Sequence, residues 1–344
     1  MFSSNLFKRY SAVFCLVALP AVANAQEYRF SIHHFLSPKA PAQKVLLEPW
    51  VKAVEKASSG RIVFEIFPAM SLGGRPSELY SQVRDGAADL VWTLTGYTPG
   101  TFPRIEVFEL PSVHGGDARA TNLAIQDLMP QIAGDLADVH PILVHVHTGN
   151  ALHLAKGRVE AVKDFEGLKV RSPSRTGAWM LEKLKAEPVG MPVPALPQAL
   201  SKRTIDAGLV PFEVAIPLGL SELTKASVEL HGGSRFGTAT FLFAMNKSSY
   251  NSLPDDLKKV IDENSGVELA ESMGKAWNSI EPIGIGKVRE AGNLLITISE
   301  KDSRAFEPVF DAVAERWVTE VNKKGINGSD LLSKAKKAVK YHSH

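Results

Sequence analysis

Asp164-Phe165-Glu166-Gly167-Leu168-Lys169-Val170-Arg171-Ser172-Pro173-Ser174 packs a strand, a break and a helix start into one short run. Residues 168–170 form an apolar core that suits a buried strand, opened by Gly167 and closed by Arg171 and a Ser-Pro break. Ser174 is placed to cap the helix that follows. Arg171 therefore falls at the carboxyl edge of a strand and beside a helix start, where open α/β sheets hold their ligands. A guanidinium fixed there offers a planar set of donors that suits a carboxylate better than an ammonium does. The reading is a carboxylate binder and not a catalyst.

Composition narrows the alternatives. The chain has 344 residues, enough for two domains. Residues 1–25 read as a secretory signal: Lys8 and Arg9 supply the charge, 11–22 an apolar run, and Ala23-Asn24-Ala25 the cleavage site before Gln26. That run is shorter than the about 20 residues a membrane span requires, so no membrane insertion is expected and the periplasm is the expected compartment. The one cysteine, Cys15, lies inside the signal, which leaves the exported chain without disulfides, thiol catalysis or cysteine metal sites. Lys and Arg number 39 against 37 Asp and Glu; without Lys8 and Arg9 the balance is 37 to 37. A balanced chain has no electrostatic reason to bind nucleic acid.

Outward from Arg171 the periodicity alternates between strand and helix. Strands are expected at 28–33, 62–67, 89–94 and 141–147, with helices at 41–59, 76–84 and 118–136 between them. This order implies a mostly parallel sheet covered on both faces. A second α/β unit has strands at 168–170 and 205–210, a helix at 174–184, and a Pro-rich crossing from Pro188 to Pro197. Residues 254–291 read as one helical stretch, bent or broken by Pro282, Gly284 and Gly286. Its length fits a helix lying across two lobes. A strand at 294–298 and helices at 302–324 and 329–340 complete the chain.

Val54-Glu55-Lys56-Ala57-Ser58-Ser59-Gly60-Arg61, Leu72-Gly73-Gly74, Asp85-Gly86-Ala87-Ala88-Asp89, Phe108-Glu109-Leu110-Pro111, Phe165 through Arg171 and Leu253-Pro254 occur in this order. Together they resemble the solute-binding proteins of tripartite ATP-independent periplasmic (TRAP) transporters, the DctP type. The resemblance implies an α/β, two-lobed periplasmic-binding-protein fold, with a ligand cleft between the lobes and a long helix spanning both. It also implies capture of an organic acid by hinge closure and delivery to the membrane subunits of a TRAP permease. The expected division is 26–148 plus 236–276 for one lobe and 149–235 plus 277–344 for the other. In the family, the Arg that ends the Gly-Leu-Lys-x-Arg strand pairs with the substrate carboxylate, the position Arg171 holds. Some relatives carry a second Arg about twenty residues upstream. Residues 148–154 contain none, which favours a monocarboxylate.

Other candidates follow from strand ends. Trp92, Thr93 and Tyr97 close a buried strand and suit a pocket wall, with core packing the competing reading for Trp92. Phe212 and Glu213 follow the 205–210 strand: Phe212 to stack on a ligand, Glu213 to accept from a hydroxyl or amine or else to form a hinge salt bridge. His34 and Phe35 end the first strand and either line the cleft or make a turn. His145 and His147 share a strand face, which raises a metal site, although a satisfied polar pair explains them with no third ligand nearby. Gly284-Ile285-Gly286-Lys287 lacks the rest of a phosphate loop, and Phe236 replaces the closing Gly of a nucleophile elbow at Gly233-Ser234-Arg235. No cofactor is implied and no catalytic set appears. The rivals are an exported hydrolase or an exported metal carrier.

Overall fold

The computed structural model describes residues 26–343; the expected signal at 1–25 lies outside the described residues. Eleven strands run in chain order: β1 (Tyr28–His34), β2 (Ile62–Phe67), β3 (Leu90–Leu94), β4 (Val139–Val146), β5 (Ala151–Leu154), β6 (Lys169–Ser172), β7 (Glu187–Gly190), β8 (Ala207–Val210), β9 (Ala226–Glu229), β10 (Thr240–Asn246) and β11 (Leu294–Thr297). They form two sheets, β2-β1-β3-β10-β4 and β11-β9-β5-β8-β6-β7. The first is the expected parallel β2-β1-β3 unit, extended by a strand the periodicity did not separate out. Every residue of β10 is buried, and it runs antiparallel to both β3 and β4. The expectation of a mostly parallel first sheet is therefore corrected, since two of its four pairings are antiparallel. The chain re-enters the first sheet after β9, from the opposite end, and β5 likewise runs antiparallel to β8 and β9.

Two short crossings join the sheets, between β4 and β5 and again before β10. They lie side by side, with Asn150 N–H donating to Gly237 O at 2.8 Å and Phe236 N–H to Asn150 O at 2.9 Å. Gly149 holds φ +109° there, and a Cβ on it would lie 2.5 Å from Arg235 Cβ. Only glycine satisfies both the left-handed backbone and the close approach.

The stretch expected as one helix over 254–291 is two, Asp255–Glu263 and Val267–Glu290. The break comes at Gly266 (φ 72°, ψ −138°), while Pro282, Gly284 and Gly286 all stay inside the second helix. Packing explains why it survives a proline. Its buried face, Ala270, Met273, Gly274, Trp277, Glu281, Gly284 and Val288, forms one stripe at the helical repeat. At one end Gly274 lies on the backbone of the Ala118–Asp127 helix beside the first sheet; at the other, Gly284 lies on Phe212 and Glu213, which follow β8 of the second. This helix spans both lobes. The helix Glu307–Asn322 packs on Arg175–Lys183, and Gly328–His342 packs on Ala118–Asp127.

A Cβ at Gly274 would sit 2.3 Å from Arg119 Cα. Helix propensity alone favours alanine there by about 1 kcal/mol, whereas forcing a methyl against backbone costs about 1–3 kcal/mol. Gly274→Ala is thus expected to lower Tm by several degrees in a thermal melt, and an unchanged or raised Tm would show that the two helices do not meet so closely.

Candidate functional site

β6 pairs with β7 and β8 in parallel, aligning Arg171 with Val189 and Gly208. Ser174 Oγ accepts the N–H of Gly177 at 3.3 Å and caps the Arg175–Lys183 helix, as the sequence expects. Arg171 is 1% exposed. Its Nε donates to Met191 O at 3.0 Å and its Nη1 to Leu209 O at 2.8 Å. Nη2 is buried without a protein partner. The Tyr97 hydroxyl flanks the guanidinium, and burial pulls the Arg171 pKa below its ordinary value. Two backbone carbonyls thus fix the orientation, and one nitrogen is left for something else.

Arg171 lines a cavity of about 30 Å³ between the two sheets, room for a water-sized group, so an organic ligand enters only when the walls part. The facing wall is aromatic. Phe35 and Trp92 stack at 5.0 Å between centroids, Trp92 and Phe241 at 4.7 Å, and Trp277 from the long helix closes the side. The other polar groups at the cavity are His147, Asn150 and Glu213. Bonds between the lobes surround it. Val193 N–H donates to the Tyr97 hydroxyl at 2.8 Å, Arg175 Nε to Glu106 Oε1 at 2.6 Å, and Thr176 Oγ1 to Glu109 Oε2 at 2.9 Å.

Of the expected site residues, Arg171, Trp92, Phe35 and Glu213 meet at this cavity. Tyr97 does not line it; it stands beside the guanidinium and stacks edge-on against Phe35 at 5.3 Å. Thr93 faces away, as strand alternation requires once Trp92 and Leu94 face in. His34 points elsewhere too, its Nε2 3.0 Å from Gln43 Oε1. Phe212 is fully buried against His153 and the Arg235 guanidinium, so it supports the wall without reaching the cavity.

Glu213 is 6% exposed. Burial, reinforced by the neighbouring Glu281, pushes its carboxyl well above the ordinary range. Glu281 accepts from Glu213 N–H at 3.2 Å and pairs with Arg235 at 3.4 Å, so the hinge salt bridge falls to Glu281. The Glu281 carboxyl is pushed up by burial too, but less far, because Arg235 pulls against it.

His145 and His147 share a face, both packing on Phe241. His145 sits between two indoles: Trp92 Nε1 is 3.0 Å from its Nε2 and Trp277 Nε1 is 3.2 Å from its Nδ1. Burial holds its pKa at about 4, and a neutral imidazole accepts at only one nitrogen. Among the described residues no group of three or more His, Cys, Asp or Glu gathers to hold a metal ion. No described helix is long and apolar enough to cross a membrane. Lining residues the sequence reading missed include Phe241, Asn150 and Trp277, and also His147, read there only as half of a histidine pair. Phe241 was hidden with β10, and Trp277 sits on a helix face whose partner the sequence does not specify.

Comparison with known proteins places this architecture. The DctP family, bacterial extracellular solute-binding protein, family 7, matches residues 32–320. A TRAP solute-binding protein from an unidentified marine microbe, specific for aromatic acid ligands and solved with metahydroxyphenylacetate, is 38% identical with TM-score 0.90, covering 92% of this chain and 100% of its own. A TRAP solute-binding protein from Rhodoferax ferrireducens, solved with copurified benzoate, is 38% identical with TM-score 0.89, covering 92% and 98%. The 2,3-diketo-L-gulonate-binding periplasmic protein YiaO of Escherichia coli is 24% identical, covering 90% of each chain. The family and these relatives are binding proteins, not enzymes.

Because Glu213 has its pKa raised in the folded state, its contribution to stability is complete below the unfolded value near 4.5. It is lost as pH climbs through the folded value. Glu213→Gln keeps the shape without the charge. Its Tm relative to the parent protein should therefore rise as the pH is raised from 5, until the folded-state carboxyl ionises; a pH-independent difference would contradict the assignment.

Proposed function

The chain belongs to the DctP family of bacterial extracellular solute-binding proteins, and from that footing we propose that it captures an aromatic monocarboxylate in the periplasm and delivers it to a TRAP permease. The carrying observation is Arg171, whose buried Nη2 has no protein partner and whose side chain lines an aromatic cavity. A charge removed from water requires a counter-charge, and no acidic side chain forms an ion pair with Arg171 among the described residues. A carboxylate on the ligand fills that role. The stacked Phe35, Trp92 and Phe241 then offer flat apolar area to its body. The aromatic acids held by the two relatives at 38% identity support the same class. A second ligand carboxylate would lie against apolar walls and the acidic Glu213, with no second cation to meet it.

Closure follows from the same geometry. We assign 26–148 plus 236–276 to the first lobe and 149–235 plus 277–344 to the second. Phe35, Trp92 and Phe241 then come from one lobe and Arg171 from the other. A ligand touching both walls has its full contacts only when the lobes are together, so it shifts the population toward the closed form by that differential affinity. The permease reads the closed form.

Charge-assisted hydrogen bonds contribute about 1.5–3 kcal/mol each, against about 8 kcal/mol for a micromolar complex. Calorimetry with benzoate and its hydroxylated and acetic-acid homologues is expected to give saturable binding. Arg171→Ala should weaken it by at least tenfold, and Arg171→Lys nearly as much, because an ammonium cannot keep the two carbonyl bonds while facing the cavity. Retained affinity in both variants would remove Arg171 from the site. Small-angle scattering should show contraction when ligand is added, and superimposable profiles would count against closure.

A further inference from the structure

We propose that His147 is the second anchor for the ligand's carboxylate, donating its Nε2–H from the first lobe while Arg171 donates from the second. The inference rests on the aromatic-carboxylate reading and assigns what stands in for a second arginine. Arg171 alone does not complete the recognition. With Nε and Nη1 engaged by the carbonyls of Met191 and Leu209, Nη2 is the guanidinium nitrogen without a protein partner. Of the five guanidinium N–H groups, the two on carbonyls leave three, whereas a carboxylate's oxygens offer about four acceptor sites, so one is still to be met.

His147 follows β4 in the crossing to β5, is 3% exposed, and lines the same cavity as Arg171. Its tautomer is fixed by its neighbours. The backbone N–H of Gly149, which only donates, lies 2.9 Å from Nδ1. Nδ1 must therefore present its lone pair, and the ring proton resides on Nε2. The Thr238 hydroxyl, 3.2 Å from the same Nδ1, directs its own hydrogen to the carbonyl of His147 at 3.1 Å. Among the described residues nothing accepts from Nε2. Burial and the surrounding His114, His145, Arg171 and Arg235 hold the ring neutral.

A neutral donor in this place has a chemical consequence. One cation and one uncharged N–H match a single negative charge, whereas two cations in the same cavity would ask for two. The Gly149 turn that joins the lobes thus also sets the tautomer that reads the ligand. This makes His147 a determinant of monoanion preference as well as of affinity.

The test uses benzoate as the probe and the full exported chain. His147→Phe keeps a ring and removes the donor; it should weaken benzoate binding about tenfold to a hundredfold in calorimetry. His147→Gln, whose amide restores an N–H, should recover part of the loss. Wild-type protein labelled with ¹⁵N-histidine supplies an independent readout if His147→Phe fails to fold. The His147 resonances, assigned through His147→Gln, should show the Nε2–H tautomer from pH 6 to 8, with the Nε2 proton moving downfield on addition of benzoate. Benzoate affinity within twofold of wild type in folded His147→Phe overturns the proposal. So does an Nδ1–H or doubly protonated ring, or an unmoved Nε2 proton in the complex. Those failures leave the aromatic-acid reading intact, whereas wild-type protein that binds no aromatic monocarboxylate ends both.

Discussion

A guanidinium buried between two lobes is the constraint on which the rest of the structure depends. Arg171 is held by the carbonyls of Met191 and Leu209, each just beyond or within a strand flanking β6. Neutral carbonyls orient the charge but do not cancel it. In the low-dielectric space between the sheets that leaves a strong demand for an anion at Nη2. The apolar walls sharpen the demand by excluding water, and the carboxyl of Glu213, the acidic residue in the cavity lining, is pushed well up by its own burial and by Glu281.

The lobes meet through a polar rim and a glycine-lined joint. Tyr97 performs two tasks at that rim, accepting from Val193 across the cleft and flanking the guanidinium. Arg175 with Glu106, and Thr176 with Glu109, tie the helix after β6 to the segment Ile105–Glu109. Such directional contacts are individually worth about 1 kcal/mol or somewhat more, small enough for a ligand to tip the balance between open and closed. The long helix Val267–Glu290 limits the motion because Gly274 and Gly284 seat it directly on backbone of both lobes.

Much of the candidate cavity was legible in the chain. The apolar run at Leu168–Val170, its Ser-Pro break and the cap at Ser174 locate Arg171, since local signals alone define a strand end and a helix start. Trp92 and Phe35 follow from the same logic. What failed was long-range. β10 joins the first sheet only because the chain returns from the second, and no local pattern announces where a strand will pair, so Phe241 stayed hidden. Thr93 does not line the cavity for a simpler reason: alternation allows Trp92 or Thr93 to face it, not both. Tyr97 and Phe212 lie one layer behind the lining, a distance that spacing cannot resolve. The helix over 254–291 broke at Gly266 and not at Pro282 because tertiary packing outweighed local propensity at the proline.

A crystal structure of the benzoate complex tests the central claim most directly. The account predicts the carboxylate within hydrogen-bonding distance of Arg171 Nη2, with the ring against the Trp92 and Phe241 wall. A ligand bound elsewhere, with Arg171 Nη2 turned to water or to a protein carboxylate, would contradict it.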